Sequence, residues 1–397
     1  MSAAELPEAI PSRMPPKSKR KPTFKEKNPI PSYLEKSEKR KTFIKSSKKP
    51  ATFNLFKLTW VALEEVLKIM DHRDVFVLSL CSKNTFDILK TCKLKANCIY
   101  YSDGSYDVFS IYSCQSHDSK NYVLSAKPAW GFENILPVVR LGGMDVQCTW
   151  TVFGINYTNT TEDVIQRAVS NHIHNLFSTK YIDLELSAKN ISKKHYPNIT
   201  GVTDLWLYEF IGRDRLTLSP TDFEEILETY PDLKSIRFEG EIDGSLSADS
   251  RIFSIDNVSI REYHQSASFF WKNFKGRHAA LGRGEYNETD VIDFARNWIS
   301  GMEYCNLNIL FVTKNGTELD SEIVLKELST SAKEWDRPPT YEYWSRLIGT
   351  ERHKKTIIRF FERDNFKEYM DFERETDQKM ATLITLRTGG FGFMVWN

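Results

Sequence analysis

The stretch RLTLSPTDFEEILETYPDLKSIRFEG, Arg215 to Gly240, changes its period once, and that change decides the class of the fold. Ser219-Pro220 is a helix start: a hydroxyl able to cap free N–H groups, then a ring whose φ is preset for the first helical position. Phe223, Ile226 and Leu227 recur at helical spacing and share one apolar face. Pro231-Asp232-Leu233 stops the helix and leads into SIRFEG, which reads as a strand. A helix with one greasy face followed directly by a strand buries neither alone, so the body is predicted to be α/β.

Working outward, the same rhythm returns in YIDLEL at Tyr181, LWLYEF at Leu205, NVSIRE at Asn257 and LNILFV at Leu307, with an amphipathic helix expected over Glu162–Phe177. Such units resemble degenerate leucine-rich repeats, and that resemblance implies a curved α/β array in which each unit covers its neighbour. Before them, YDVFSIYS (Tyr106–Ser113), YVLSAK (Tyr122–Lys127) and VQCTWTVFGI (Val146–Ile155) predict strands. After them, YMDFERE at Tyr369, KMATLITL at Lys379 and FGFMVW at Phe391 predict a three-stranded meander, joined through Thr376-Asp377-Gln378 and Thr388-Gly389-Gly390. In its last strand Phe391, Phe393 and Val395 point one way, and Met394 and Trp396 the other. A strand apolar on both faces belongs to a sheet covered on both sides.

The front of the body is different. In LTWVALEEVLKIMDHRDVFVLSLCSKNTF, Leu58 to Phe86, the residues Leu63, Val66, Leu67 and Met70 form one helical face. Asp71 stands at a cap position before a second short helix beginning near Arg73, carrying Val75, Leu78 and Cys81. Ser82 caps a third, with Phe86 and Leu89 inward. Helices this short are marginal alone and need a partner surface. Leu55, Leu58, Glu64-Glu65-Val66-Leu67, Met70-Asp71, Val75 and Leu80-Cys81-Ser82-Lys83 resemble an F-box, the helical module that docks on the Skp-type adaptor of cullin-based SCF ubiquitin ligases. One departure is Thr59, where the family usually has Pro; a preset backbone angle is lost there.

The resemblance implies adaptor binding by Leu55, Leu58, Leu63, Val66, Leu67, Met70, Val75, Leu78, Cys81 and Phe86, and leaves the target-binding residues unassigned. Further on, Trp271-Lys272-Asn273-Phe274-Lys275-Gly276, Asn287 to Asp293 and Trp298-Ile299-Ser300-Gly301 resemble the type 2 F-box-associated domain of a large nematode F-box family. That likeness runs from about Val152 to Leu328, and the DxxR…AT…F-F-VW ending is similar too. Without the family, Trp271, Phe274 and Trp298 read as core anchors. The organisation expected is a basic tail (1–51), the F-box (52–95), a β-rich segment (96–160), the F-box-associated repeat-like α/β domain (161–330), and a linker with C-terminal β-meander (331–397). The fold class is thus mixed α+β and α/β, with antiparallel elements at both ends of the body.

Composition and charge bound the function. The chain has 397 residues, 54 basic against 53 acidic. Residues 1–51 hold 14 Lys/Arg and 5 Asp/Glu, so the tail carries +9 and the remainder −8. An acidic body repels phosphate backbones, which argues against nucleic-acid binding by the folded part. The tail is expected to be disordered, and Lys17–Lys21 is either an import signal or solvated charge. No apolar run of membrane length and no signal-peptide core occurs, so a cytoplasmic or nuclear protein without membrane partners is expected. The six cysteines lack CxxC spacing and read as reduced core residues. No P-loop, GxSxG, HExxH or strand-borne GxGxxG is found; His172 and His174, two apart on a helix, diverge. Gly282-Arg283-Gly284 shows no following phosphate-binding helix, and Glu224-Glu225 reads as a solvated face. Neither catalysis nor a cofactor or metal is expected. The reading is a substrate-recognition adaptor that reaches a cullin through a Skp-type protein and holds an unknown protein target. The alternative is an interaction protein on that adaptor outside any ligase.

Overall fold

A computed structural model describes residues 55–397 except 104–108, 117–118, 130–135, 152–153, 159–161, 209–215, 315–318, 337–339, 345–354, 360–365, 388 and 397. The expectations of a disordered tail and of an import signal at Lys17–Lys21 lie outside the described residues. After a 3-10 turn at Leu55–Lys57 come α1 (Trp60–Ile69), α2 (His72–Ser79) and α3 (Lys83–Cys92). Ser82 caps α3 as its position predicts, accepting from the Thr85 N–H at 3.1 Å. Asp71 holds the cap position of α2, but its side chain makes no cap bond.

Six strands follow: β1 (Leu94–Asp103), β2 (Phe109–Ser116), β3 (Ser119–Pro128), β4 (Val138–Leu141), β5 (Met144–Thr151) and β6 (Gly154–Tyr157). The single strand expected over Val146–Ile155 is therefore two strands, β5 and β6, running antiparallel. β1 and β4 were not anticipated. LKANCIYYSD mixes Lys and Asn into its first half, and its strand character comes from its position between β2 and β7.

The body continues with α4 (Glu162–Leu176), β7 (Phe177–Ser187), α5 (Ala188–Ser192), β8 (Asp204–Tyr208), β9 (Thr217–Leu218), α6 (Pro220–Thr229), β10 (Ser235–Ile242), β11 (Asn257–Glu262), α7 (Ala267–Asn273), β12 (His278–Gly284), α8 (Glu288–Ile299), β13 (Ile309–Lys314) and α9 (Ser321–Leu328). It closes with β14 (Thr340–Trp344), β15 (Lys355–Arg359), β16 (Phe366–Glu373), β17 (Met380–Leu386) and β18 (Gly390–Val395). β14 and β15 pair with each other; the other strands join one sheet in the order β16-β17-β18-β13-β12-β11-β10-β8-β7-β1-β2-β3-β6-β5-β4, with β9 beside β10. From β1 through β7, β8, β10, β11 and β12 to β13 neighbours are parallel. Antiparallel strands flank that run on both sides, as expected.

Register explains the core. Leu184, Leu205, Ile236, Val258, Ala279 and Leu310 stand side by side, and two residues on come Leu186, Leu207, Phe238, Ile260, Leu281 and Val312. All are buried. Helices cover this face: Phe223 of α6, capped by Ser219 as its sequence predicts, lies 5.5 Å from Phe238. Each such side chain contributes about 1.5–3 kcal/mol relative to exposure. At the far end β18 pairs with β13 and sends Phe393 to within 5.1 Å of both Phe294 and Trp298. Ile309, Ile384 and Met394 form a second cluster on the opposite face, so β18 is buried on both sides. Gly390, at φ 124°, makes that pairing possible, since a Cβ there would collide with the Val312 carbonyl. Trp271, Phe274 and Trp298 are core residues.

Candidate functional site

The front helices divide their apolar residues between two environments. Leu63, Leu67 and Val75 are buried, together with Phe76 and Leu89. Leu55, Leu58, Val66, Met70, Leu78 and Phe86 are half-buried, and Cys81 is exposed. Two large residues that the helical stripe did not single out stand furthest into solvent: Val61 at 71% and Ile69 at 84%. They lie eight residues apart on α1 and therefore on one face. Trp60 is also half exposed. Beside the stripe that packs inward, α1 carries a second, thinner one interrupted by Glu65 and Lys68. Lys68 itself bridges Glu64 and Glu65 at 3.1 and 2.8 Å.

What fixes these helices is the body beneath them. Leu58–Asn397 forms one compact unit. At its hub His172 of α4 packs its ring 5.1 Å from Phe76 and 4.6 Å from Phe86. The Gly142 N–H donates to His172 Nδ1 at 3.2 Å, which assigns the ring proton to Nε2. Nε2–H then donates to Ser79 Oγ at 2.7 Å, and that hydroxyl donates to the Phe76 carbonyl at 2.5 Å. Burial holds the His172 pKa down at about 4. Every polar atom of the ring is thus spoken for in the neutral state. His174 turns away to Tyr101, 3.2 Å from its hydroxyl, so the two histidines share no site.

Beside this hub, the end of α2 and the β4–β5 hairpin enclose an apolar cleft of about 300 Å³ lined by Val77, Leu80, Cys81, Val139, Cys148 and Trp150. Trp150 stacks on Phe76 at 5.8 Å and remains 39% exposed. Cys148 is buried, which pushes its thiol up to about 11 and keeps it protonated and unreactive. Of the cysteines expected in the core, Cys81 and Cys305 are exposed instead. Cys81 sits where α2 ends at the cleft mouth.

The remaining polar candidates are engaged structurally. Glu224 accepts from Ser250 and from the Arg251 N–H, while Glu225 pairs with Lys194 at 2.8 Å. A helix does follow Gly282-Arg283-Gly284, contrary to expectation. Its N-terminus is closed by its own capping box, Asn287 with Asp290, and carries Glu288 as well. An anion finds those N–H groups taken and the charge unfavourable. Among the described residues no group of three or more His, Cys, Asp or Glu could hold a metal, and no helix is long and apolar enough to cross a membrane.

With this geometry in place, comparison with known families adds one decisive match. Residues 55–97 match the F-box domain. The F-box comprises the 3-10 turn, α1, α2, α3 and the start of β1. The chain therefore carries an F-box followed by a strand-rich α/β body. No curated protein and no solved structure matches the chain.

Proposed function

We propose that the chain is the substrate-recognition subunit of an SCF-type ubiquitin ligase, docking through its F-box on a Skp-type adaptor and so on a cullin. The observation that carries this reading is the F-box at residues 55–97 whose α1 leaves Val61 and Ile69 in water while Leu63 and Leu67 of the same helix are buried. Large apolar side chains displayed together on a folded helix favour a protein partner. The adaptor surface proposed comprises Val61, Ile69 and Trp60 together with the half-buried Leu58, Val66, Met70, Leu78 and Phe86 and the exposed Cys81. Leu63, Leu67 and Val75 hold the helices in shape for it. The body is the target-binding module, and its likeness to the type 2 F-box-associated domain and to leucine-rich repeats supports that assignment. The mechanism is positional: a target tethered near a charged conjugating enzyme meets it at raised effective concentration, and the chain supplies no acid, base or metal.

The test is titration calorimetry of the full chain against a Skp-type adaptor. Ile69→Asp and Val61→Asp each place an unpaired charge where an apolar contact is proposed. Each is expected to weaken binding by roughly a hundredfold or more, at about 1.4 kcal/mol per tenfold. The melting curve of the free protein should not move, because both side chains are already exposed. Unchanged affinity in both variants would sink the reading.

A further inference from the structure

The sheet face opposite the helices is not evenly covered. At its β13–β18 end the Ile309–Ile384–Met394 cluster fills it, but between β10 and β13 it opens into a groove of about 440 Å³. Its floor and walls follow from register. Arg237, Ser259, Ala280 and Phe311 lie in one row across β10, β11, β12 and β13. Two residues further along the same strands stand Glu239, Arg261, Gly282 and Thr313, which also line it. The two middle strands present the small Ser259, Ala280 and Gly282 beside Arg261, and the outer strands present the larger Arg237, Glu239 and Phe311.

The walls are braced by neighbouring side chains. Arg237 is held by Glu239 at 2.6 Å, and its guanidinium lies 4.8 Å above the Trp206 ring. Phe311 is packed against the second apolar cluster. Three strand spacings separate the wall strands, about 14 Å backbone to backbone. Subtracting the half-thickness of both walls leaves less than the roughly 10–12 Å of a helix, so the groove fits one extended chain. A volume of about 440 Å³ lies inside the range of specific ligand clefts, about 300–1,000 Å³.

Charge selects among extended chains. Arg237 is offset by Glu239, and the neighbouring Arg283 by Glu262 at 2.8 Å, which His264 also approaches at 3.0 Å. Arg261 is exposed in the groove and forms no ion pair among the described residues. The groove is therefore locally cationic on a body whose overall charge is negative. A single uncompensated guanidinium suits one carboxylate and does not suit the repeated phosphates of a nucleic acid, which need several cations in line.

We propose that this groove binds an extended acidic segment of a target protein, seating a carboxylate on Arg261 and an apolar side chain against Phe311. The proposal deepens the ligase reading by naming the target chemistry and rests on it only for the fate of the captured protein. Random heptapeptides displayed on phage and selected on the full chain supply the probe. Enriched peptides are expected to carry one Asp or Glu within a few residues of a Phe, Leu or Met. Measured by fluorescence anisotropy, such a peptide should bind Arg261→Gln roughly tenfold more weakly, or worse, through loss of a charge-assisted pair. It should not bind Ala280→Trp, which fills the floor. Arg261 is exposed, so its variant folds even if the tryptophan variant does not. Failure to enrich any peptide, enriched peptides without an acidic residue, or equal binding to Arg261→Gln overturns the proposal. Adaptor affinity, measured separately by calorimetry, is expected to be unchanged in both variants. Peptide capture without any adaptor binding would leave the groove standing and remove the ligase reading.

Discussion

Thr59 stands where an F-box usually has proline, and its backbone sits at φ −60° and ψ 154°. A proline ring fixes φ near −65°, so this threonine already adopts the geometry that proline would impose. Its side chain makes no cap bond, and its substitution removes none. Thr59→Pro is expected to raise stability by about 0.4–1 kcal/mol by restricting the unfolded chain, read as a higher Tm. A fall in Tm would mean that the Thr59 N–H is needed. His172 gives a second expectation. Its folded pKa of about 4 lies below its ordinary value of 6.5, so the unfolded chain binds the extra proton between those limits. Its contribution is fully present above pH about 6.5 and is lost as pH falls toward 4, on the order of 3 kcal/mol in all. His72, His174 and His278 are lowered by burial in the same direction. Urea midpoints should fall from pH 7 to pH 4.5, and the slope should shrink in His172→Gln. A pH-independent midpoint would contradict the neutral, buried ring.

At the scale of elements, α1 separates two kinds of substitution. Leu67 is 1% exposed, so Leu67→Ala leaves a cavity and is expected to cost about 2–5 kcal/mol of stability, whereas Ile69→Asp should leave stability unchanged and remove adaptor binding. Equal stability losses in the two variants would deny α1 its two faces. The last strand is the other informative element. Removing residues 387–397 takes away β18, whose Phe391 and Phe393 lie in the aromatic cluster of Trp271, Phe294 and Trp298. It also leaves the edges of β13 and β17 that pair with β18 without a hydrogen-bonding neighbour. The shortened chain is expected to lose cooperative unfolding by circular dichroism; a sharp, unshifted transition would show β18 to be dispensable. A neighbouring brace is Arg374, which is buried above Trp298 at 5.0 Å and forks onto Asp377 at 2.7 and 2.5 Å. That pairing holds the Asp377 carboxyl down at about 2.

At the scale of the whole molecule, the F-box helices and body are expected to melt as one. Phe76, Ser79 and Phe86 are tied to His172 of α4, and residues from Leu58 onward form one compact unit. A single calorimetric transition is expected for the folded part, with an F-box substitution such as Leu67→Ala lowering all of it; two resolved transitions would show the F-box to be an independent bead. Such attachment would suit the positional mechanism proposed above, because a floppy joint would spread a bound target over a larger volume and lower its effective concentration.

Local chemistry made much of this legible. Ser82 and Ser219-Pro220 mark helix starts because a capping hydroxyl and a preset φ act within three residues. Phe223, Ile226 and Leu227 declare a buried face because helical periodicity is a property of the chain itself. The ordered apolar pattern from Leu55 to Phe86 sufficed for the F-box. Beyond that reach, tertiary structure decided. LKANCIYYSD became a strand because β2 and β7 lie on either side of it. Val61 and Ile69 remained in water while Leu63 and Leu67 were covered, because α1 is covered on one side only. Neither the His172–Ser79–Gly142 hub nor the row Arg237, Ser259, Ala280 and Phe311 can be read along the chain. Their members lie on different elements, and only strand register and helix packing bring them together.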